Sequence, residues 1–231
     1  MPQTDSHLMR AYARQPVSFV RGRGARLWDD QGVEYLDAIA GVAVTSLGHA
    51  HPEIAAVMAE QAATLLHTSN VFRIDWQEQL GERLCALAGM QKVFFCNSGA
   101  EANETALKLA RLHGHRKQVA EPQILVMENA FHGRTLATLA ATGNAAKQQG
   151  FEPQMPGFVR VPYDDIVAVR RAAREAPGIV AVLVEPVQGE GGIRVASPGY
   201  LRALREFCDS QGWLLMLDEI QTGLGRTGAW F

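Results

Sequence analysis

The chain has 231 residues, of which 47% are hydrophobic and 20% are charged, proportions typical of a globular protein with a substantial core. Its formal net charge of −2 gives no electrostatic reason to expect nucleic acid or a membrane surface as a partner, and its apolar runs are too short to span a bilayer. Three widely spaced cysteines and seven scattered histidines indicate neither a disulfide framework nor a metal site, and the N-terminus lacks the apolar core of a signal peptide, so we expect a cytoplasmic protein.

The N-terminal part of the chain has a pattern of its own. Residues 17–37 alternate between apolar and polar positions around an Asp/Gly turn at 29–32, which predicts short antiparallel strands. A linking stretch then leads to Pro52, a residue favoured at the first position of a helix. We therefore expect residues 1–50 to belong to a small domain and residues 51–231 to form a large domain that is incomplete at its C-terminal end.

Beyond residue 51 helices and strands alternate. Repeated alternation with apolar strands predicts an α/β fold, a mainly parallel sheet covered by helices. The carboxyl ends of parallel strands meet at one edge of the sheet, so the loops that follow the strands are the candidates for a functional site. In chain order, the predicted elements are a helix over 75–88, a strand over 92–96, a helix over 101–113, strand 124–127, a helix capped by Asp164 or Asp165 that ends near Glu175, strand 179–184, a helix opened by Ser197 and strand 213–217.

The last predicted strand is the one around which the chain is organised, because an apolar run leads directly into Asp218 and Glu219. A carboxylate at the end of a buried strand is costly unless a cation meets it. That cation could be a nearby side chain such as Arg226, or it could belong to a ligand. The G-x-G-x-x-G pattern at 223–228 neither follows the strand directly nor opens a helix, so we do not expect a dinucleotide site.

A possible phosphate site follows the strand predicted over 92–96, where Ser98, Gly99 and Ala100 lead directly into a helix. The amides of Gly99, Ala100 and Glu101 would be unpaired donors at the positive end of the helix dipole, an arrangement that suits a phosphate. Considered alone, Ser98 is more commonly an ordinary helix cap.

Two further loops carry functional groups. After strand 124–127, Phe131 offers a stacking surface, and Arg134 suits a bidentate carboxylate contact, although a core phenylalanine beside a solvated arginine is the simpler interpretation of this loop alone. After strand 179–184, Glu185 could brace its loop, and Glu190 could pair reversibly with an arginine. Together the four loops complement a phosphorylated, cationic nitrogen heterocycle, and pyridoxal phosphate is that molecule.

Six stretches, in the same order as in a known family, carry a resemblance over nearly the whole chain. They are LWDDQGVEYLD, GHAHP, FFCNSGAEANETALKLAR, AFHGRT, VEPVQGEGG and LDEIQTGLGRTG. In them the chain resembles the class III (ω-amino) aminotransferases, which are fold-type I enzymes that use pyridoxal 5′-phosphate. Within the family it is most similar to the acetylornithine aminotransferases.

The resemblance implies roles for the matching positions at the cofactor. The implied cofactor residues are Asp218 on the pyridinium nitrogen, Gln221 on the phenolic oxygen, Phe131 and Ile220 on the two faces of the ring, Ser98, Gly99 and Ala100 on the phosphate, and Glu219 in the same motif as Asp218.

The resemblance also implies residues that contact the amino-acid and 2-oxo-acid substrates. Arg134 would bind the α-carboxylate, and Glu190 matches a carboxylate that masks an arginine for ω-amino substrates and releases it for 2-oxoglutarate. Tyr12 matches a substrate-contacting tyrosine. Val42 stands where ornithine aminotransferases carry a tyrosine, which leaves room for an acetylated or succinylated ornithine. A homodimer is implied as well, because active sites of this family are shared between subunits.

One departure from the family pattern is large. The family's Schiff-base lysine lies shortly beyond the D-E-x-Q motif, in a segment that this chain lacks, and none of its four lysines has the required context. Because the last three residues are also apolar and aromatic, we expect an N-terminal fragment of an enzyme of arginine metabolism, inactive or nearly so by itself. The alternatives are another class III aminotransferase, acting on ornithine or 4-aminobutyrate, and a truncated paralogue without catalytic activity.

Overall fold

The computed structural model describes residues 7–9 and 11–231. The chain divides into two compact units, one that ends at Ile74 and one that runs from Asp75 to Phe231. The assignment of residues 1–50 to a small domain stays a prediction. Within the described ranges, none of the helices combines the length and the apolar character needed to cross a bilayer.

The first unit contains a sheet of three antiparallel strands, which confirms the short antiparallel strands predicted over 17–37. Asp29 organises the turn between the second and third strands, since its Oδ1 accepts hydrogen bonds from the N–H groups of Gln31 and Val33 at 3.0 and 2.8 Å. Its Oδ2 accepts one from the hydroxyl of Tyr35 at 3.0 Å. The elements of this unit are β1 (Phe19–Arg23), β2 (Arg26–Asp29), β3 (Glu34–Leu36), a short helical turn α1 (Ala40–Ala43) and α2 (Pro52–Thr64).

The second unit is built on a four-stranded parallel sheet. Its elements in chain order are α3 (Asp75–Ala88), α4 (Gly99–Arg116), β4 (Gln123–Met127), α5 (Leu136–Ala141), α6 (Ala145–Gln148), β5 (Phe158–Val161), α7 (Ile166–Glu175), β6 (Ile179–Val184), the two-residue strands β7 (Val187–Gln188) and β8 (Arg194–Val195), α8 (Tyr200–Gln211) and β9 (Leu214–Leu217). The strand order is β5-β4-β6-β9, with every neighbouring pair parallel. The carboxyl ends of β4, β6 and β9 therefore meet at one edge.

Helices cover both faces of this sheet. All buried side chains of β4 and β6 are apolar, so both faces of these strands must be shielded from water. On one face, Leu125 and Val182 pack with Val169 of α7 and Leu204 of α8. On the other face, the alternate strand residues pack with α4 and α5. Burial on both sides explains why these strands are continuously hydrophobic rather than alternating. The predicted α/β architecture is confirmed.

Two predicted strands differ from the observed ones. Residues 92–96 are not a strand, because no strand in the described part of the chain lies beside them to form a ladder, and Phe94 is 69% exposed. The segment 213–217 forms β9, but as an edge strand paired only with β6, so it is only half-buried rather than buried on both faces. An apolar run predicts extended backbone, whereas a ladder also needs a neighbour.

Candidate active site

Asp218 follows β9 directly and continues the parallel ladder, since its N–H donates to the carbonyl of Val184 at 2.9 Å. The side chain is buried. Its Oδ2 accepts hydrogen bonds from His132 Nδ1 at 2.7 Å and from Asn103 Nδ2 at 2.8 Å, while Oδ1 accepts one from the N–H of Ile220 at 3.2 Å. Because two side-chain donors engage Oδ2, Oδ1 is the oxygen with acceptor capacity left for a ligand.

The charge on Asp218 is stabilised within the protein. Burial raises the pKa of its carboxyl, but the hydrogen bond and the electrostatic interaction with His132, together with the hydrogen bond from Asn103, outweigh it, so the pKa lies below its ordinary value. A carboxylate only accepts, so His132 Nδ1 must carry a proton. The buried carboxylate is therefore ionised at neutral pH and held in one orientation.

Asn103 belongs to this cluster and, like His132, was not among the site residues that the sequence analysis predicted. It lies in the second turn of α4, and its Nδ2 donates both to Asp218 and to the carbonyl oxygen of His132, the latter at 2.9 Å. One amide thus joins α4 to two strand-end loops. The available signal was its helical spacing, because Asn103 shares the buried face of α4 with Leu107 and Ala110.

The start of α4 is a partly satisfied helix N-terminus. Ser98 is its N-cap, and its hydroxyl accepts a hydrogen bond from the N–H of Glu101 at 3.2 Å. The expectation that the Glu101 amide is unpaired was therefore wrong, because the cap takes it. The first intrahelical bond runs from Ala102 to the carbonyl of Ser98, so the amides of Gly99 and Ala100 precede the helical ladder and suit an anion.

The loops around α4 approach it closely. A Cβ placed on Gly99 would lie 2.9 Å from Ile220 Cγ1, and one placed on Gly133 would lie 3.1 Å from the Cβ of Ala100. Only glycine permits both approaches. The structure thus brings the residues predicted for the phosphate next to a residue predicted for the ring.

Phe131 and Arg134 lie in the loop between β4 and α5. The N–H of Phe131 donates to Glu185 Oε2 at 3.0 Å, so Glu185 braces this loop, as one interpretation of the sequence suggested. Arg134 is exposed, and its Cζ lies 5.7 Å from the centroid of the Phe131 ring. The guanidinium is thus at the surface beside the aromatic ring, where it can reach a carboxylate.

Glu185 is buried among the same groups, and burial raises its pKa to about 7, although the electrostatic interaction with His132 and the hydrogen bond from the N–H of Phe131 oppose the shift. Between the unfolded pKa of 4.5 and the native pKa of about 7, the carboxyl of Glu185 therefore carries a proton in the native state that it has already released in the unfolded state.

We expect the Glu185→Gln substitution to change how stability depends on pH. Because the native pKa is raised, the wild-type contribution of Glu185 is fully present below the unfolded pKa and is lost as pH rises through about 7. Between pH 5 and pH 8 the free energy of unfolding of the wild type should fall, relative to the variant, by about 2.5 kcal/mol. Urea unfolding of the 231-residue chain at both pH values measures this difference.

The control for this measurement is Glu175→Gln, which changes an exposed glutamate at the end of α7. Its pH dependence should follow that of the wild type. Asp218 contributes with the opposite sign, since its lowered pKa makes stability fall as pH decreases, but it is present in all three proteins and cancels. Parallel curves for wild type and Glu185→Gln would show that Glu185 is ionised in the native state throughout.

Gln221, in the loop after β9, packs against the loop after β6, which carries Glu190. A Cβ placed on Gly189 would lie 1.5 Å from Gln221 Oε1, so this side chain packs directly on the backbone next to Glu190. Glu190 Oε2 lies 3.0 Å from Lys147 Nζ. Glu219 accepts a hydrogen bond from the hydroxyl of Thr222 at 3.2 Å, within its own loop.

Tyr12 and Val42 belong to the first unit. Tyr12 is 77% exposed. Val42 is 62% exposed and has φ of 65°, a left-handed conformation that is an outlier for a β-branched residue. Their predicted substrate contacts stay predictions.

The residues at this sheet edge fit a phosphorylated, cationic aromatic ring. The amides at the start of α4 suit a phosphate, Asp218 suits a protonated ring nitrogen, and within the described residues the buried Nε2 of His132 has no hydrogen-bond partner, so the cluster retains polar capacity. These groups, at the carboxyl edge of a parallel α/β sheet, are the ones expected of a pyridoxal-phosphate enzyme.

The chain belongs to the class III aminotransferase family, whose model matches residues 8–231. It is 59% identical over 226 residues to an acetylornithine aminotransferase of Nitrosomonas europaea, an alignment that covers 98% of this chain and 58% of that protein. The chain therefore spans somewhat more than half the length of this relative.

Solved structures agree with this assignment. The ornithine aminotransferase of Toxoplasma gondii is 38% identical with a TM-score of 0.92, over 97% of this chain and 54% of that one. The N-acetylornithine aminotransferase of Stenotrophomonas maltophilia is 39% identical with a TM-score of 0.81, over 95% and 55% of the two chains. The predicted family and fold type are confirmed, and pyridoxal phosphate, predicted as the cofactor, is the coenzyme of this family.

Proposed function

We propose that this chain is the N-terminal part of a transaminase that moves the 5-amino group of N2-acetylornithine, or of succinylornithine, to 2-oxoglutarate. The observation that carries the proposal is the buried, ionised carboxylate of Asp218, fixed by His132 and Asn103 at the carboxyl edge of the sheet. The names of the Nitrosomonas europaea relative and of the Stenotrophomonas maltophilia structure support an acylated substrate.

Pyridoxal phosphate, when bound, supplies the electron-accepting ring and the aldehyde carbon at which amino groups are exchanged. Asp218 Oδ1 would hold the proton on the ring nitrogen, and the amides of Gly99 and Ala100, with the hydroxyl of Ser98, would bind the phosphate. Phe131 and Ile220 would contact the two faces of the ring.

The remaining site residues would act around the substrate and the rest of the ring. Gln221, beside Gly189, would reach the phenolic oxygen, and Glu219 would support the loop that carries both Gln221 and Asp218. Arg134 would bind a carboxylate of each acid, with Tyr12 and Val42 shaping the acyl end. Glu190 would change partners between the two acids. We further propose that the complete enzyme is a cytoplasmic homodimer whose coenzyme-linked lysine lies beyond residue 231.

The test uses a completed enzyme, in which residues 1–231 are joined to the C-terminal part of the Nitrosomonas europaea relative. We expect it to transaminate N-acetylornithine with 2-oxoglutarate at a kcat/KM at least about tenfold above that for free ornithine, because a pocket with Val42 leaves room for the acyl group, a difference of about 1.4 kcal/mol. A preference for free ornithine would contradict the acylated substrate.

Ornithine as the donor is the second candidate, because the Toxoplasma gondii ornithine aminotransferase has the higher TM-score of the two structures. The same assay decides between them. A truncated paralogue without activity is tested at the gene: a reading frame that continues past Phe231 to a lysine in a Gly-rich context supports an enzyme, and a stop codon supports the paralogue.

A further inference from the structure

The short turn α1, which carries Val42, has an unusual backbone. Four consecutive residues have φ between 51° and 65°, in the left-handed region: Ala40, Gly41, Val42 and Ala43. Three of them carry a Cβ, for which this region is disfavoured, and such residues ordinarily occur singly rather than in runs. Val42 is 62% exposed, so burial of its side chain does not hold the turn. A run of this kind persists only where neighbouring groups fix it.

The carboxylate of Asp37 fixes the start of this turn. Its Oδ1 accepts hydrogen bonds from the N–H of Ala40 at 2.8 Å and from the N–H of Ile39 at 3.1 Å. Both donors belong to the backbone that leads into the left-handed run, so one oxygen atom sets the direction in which the chain enters it. The side chain of Asp37 is only 8% exposed, so little water competes for this oxygen.

The other oxygen of Asp37 is held by His49, which follows the turn. His49 Nε2 lies 2.7 Å from Asp37 Oδ2, and because a carboxylate only accepts, this nitrogen carries a proton. The hydrogen bond from His49, together with the one from the N–H of Ala40, lowers the pKa of the Asp37 carboxyl, which is therefore ionised at neutral pH.

His49 is itself anchored to the neighbouring sheet. Its N–H and its carbonyl oxygen each form a 2.9 Å hydrogen bond with the backbone of Gly24. A Cβ placed on Gly22, in β1, would lie 2.7 Å from the Cβ and Cγ of His49, so the ring packs directly on this strand. The pair formed by Asp37 and His49 thus ties the left-handed turn to the three-stranded sheet of the first unit.

We propose that Asp37 and His49 are positioning residues that hold the left-handed turn, and with it Val42, in the conformation that accommodates the acyl group of the amino donor. The proposal rests on the proposed transaminase function, in which Val42 shapes the acyl end of the site. Both residues would act through the backbone of the turn. A small side chain leaves room for an acyl group only where its backbone is fixed, because a displacement of about 1 Å can strongly reduce the rate.

Hydrogen exchange, followed by NMR on the 231-residue chain, tests without catalysis whether Asp37 holds the turn. We expect Asp37→Ala to speed exchange of the amides of Ile39 and Ala40 about tenfold, the effect of losing a hydrogen bond to a charged acceptor, while the amides of β2 keep their protection. Asp37→Asn keeps an oxygen acceptor and should restore most of the protection. Asp30→Ala, at an exposed position in the turn between β2 and β3, should exchange as wild type.

Steady-state kinetics of the completed enzyme tests whether the turn selects the donor. Asp37→Ala should raise the KM for N-acetylornithine about tenfold and leave kcat and the KM for 2-oxoglutarate nearly unchanged, because the contact with the acyl group is made in the ground state and in the transition state alike. The KM for free ornithine, which has no acyl group, should change by less than about twofold. His49→Ala should show the same selective rise, and His49→Gln, whose amide can donate to Asp37, should reverse most of it.

Unchanged exchange at Ile39 and Ala40 in Asp37→Ala overturns the proposal, and so does faster exchange without a selective rise in the KM for N-acetylornithine. A wild-type completed enzyme that transaminates no amino donor would instead contradict the proposed function. Isothermal titration of that protein would then decide the role of Asp37. Weaker binding of N-acetylornithine but not of ornithine in Asp37→Ala supports the proposal, and equal effects on the two ligands overturn it.

Discussion

Replacement of Asp218 by alanine in the completed enzyme is expected to lower kcat on the order of 10³-fold, the effect of removing a preorganised charge from a water-poor site. The carboxylate is ionised, buried and oriented by His132 and Asn103 before any ligand arrives. A protonated ring nitrogen requires such a counter-charge to remain protonated at neutral pH. Steady-state transamination, with the coenzyme at saturation, measures the loss.

The alanine variant also leaves two buried donors unpaired, which costs about 1–3 kcal/mol for each group. Asp218→Asn is therefore measured in parallel, because it keeps the shape of the side chain but removes its charge. Urea unfolding shows whether each variant is folded, and Asp209→Ala, at an exposed position on α8, controls for the loss of a carboxylate elsewhere. Folded variants with wild-type kcat would show that Asp218 does not hold the ring nitrogen.

The direction of the effect on coenzyme affinity provides a second readout. The Coulomb attraction between Asp218 and a pyridinium is lost in both variants, so the dissociation constant of pyridoxal phosphate should rise in each, as measured by equilibrium titration. The amides at the start of α4, which would bind the phosphate, are untouched by either substitution. Binding should therefore weaken without being abolished.

The second unit shows which parts of a fold are readable from sequence. The helix 75–88 and the strand 179–184 were predicted with the limits that the structure has. Both depend on local periodicity and on apolar burial against neighbours within the chain. The strand β5 (Phe158–Val161) was not predicted, because four residues that include an arginine give too short a pattern to recognise.

The candidate site shows the corresponding limit for side chains. The edge of the sheet could be predicted, because parallel strands end together, and so could Asp218, because a carboxylate after an apolar strand is costly. Its partners could not, since Asn103 lies 115 positions away in the chain and Lys147 lies 43 positions from Glu190. Contacts of that separation depend on how helices pack on the sheet, which no local pattern encodes.

The second large effect is expected at Arg134. In the completed enzyme, Arg134→Ala should raise the KM for both the amino donor and 2-oxoglutarate by about 10- to 100-fold, because a charge-assisted hydrogen-bonded pair contributes about 1.5–3 kcal/mol. The effect on kcat should be smaller, since the carboxylate is bound in the ground state as well as in the transition state. Initial-rate measurements over both substrate concentrations give the two KM values.

Arg134→Lys separates charge from geometry. A lysine keeps the positive charge but cannot form two parallel hydrogen bonds, so its KM values should lie between those of wild type and Arg134→Ala. Arg174→Ala, at an exposed position in the last turn of α7, should leave both KM values unchanged.

Arg134→Ala is expected to affect both substrates together, because one carboxylate clamp would serve both half-reactions. If Arg134→Ala raises the KM for one substrate only, a different group holds the other acid.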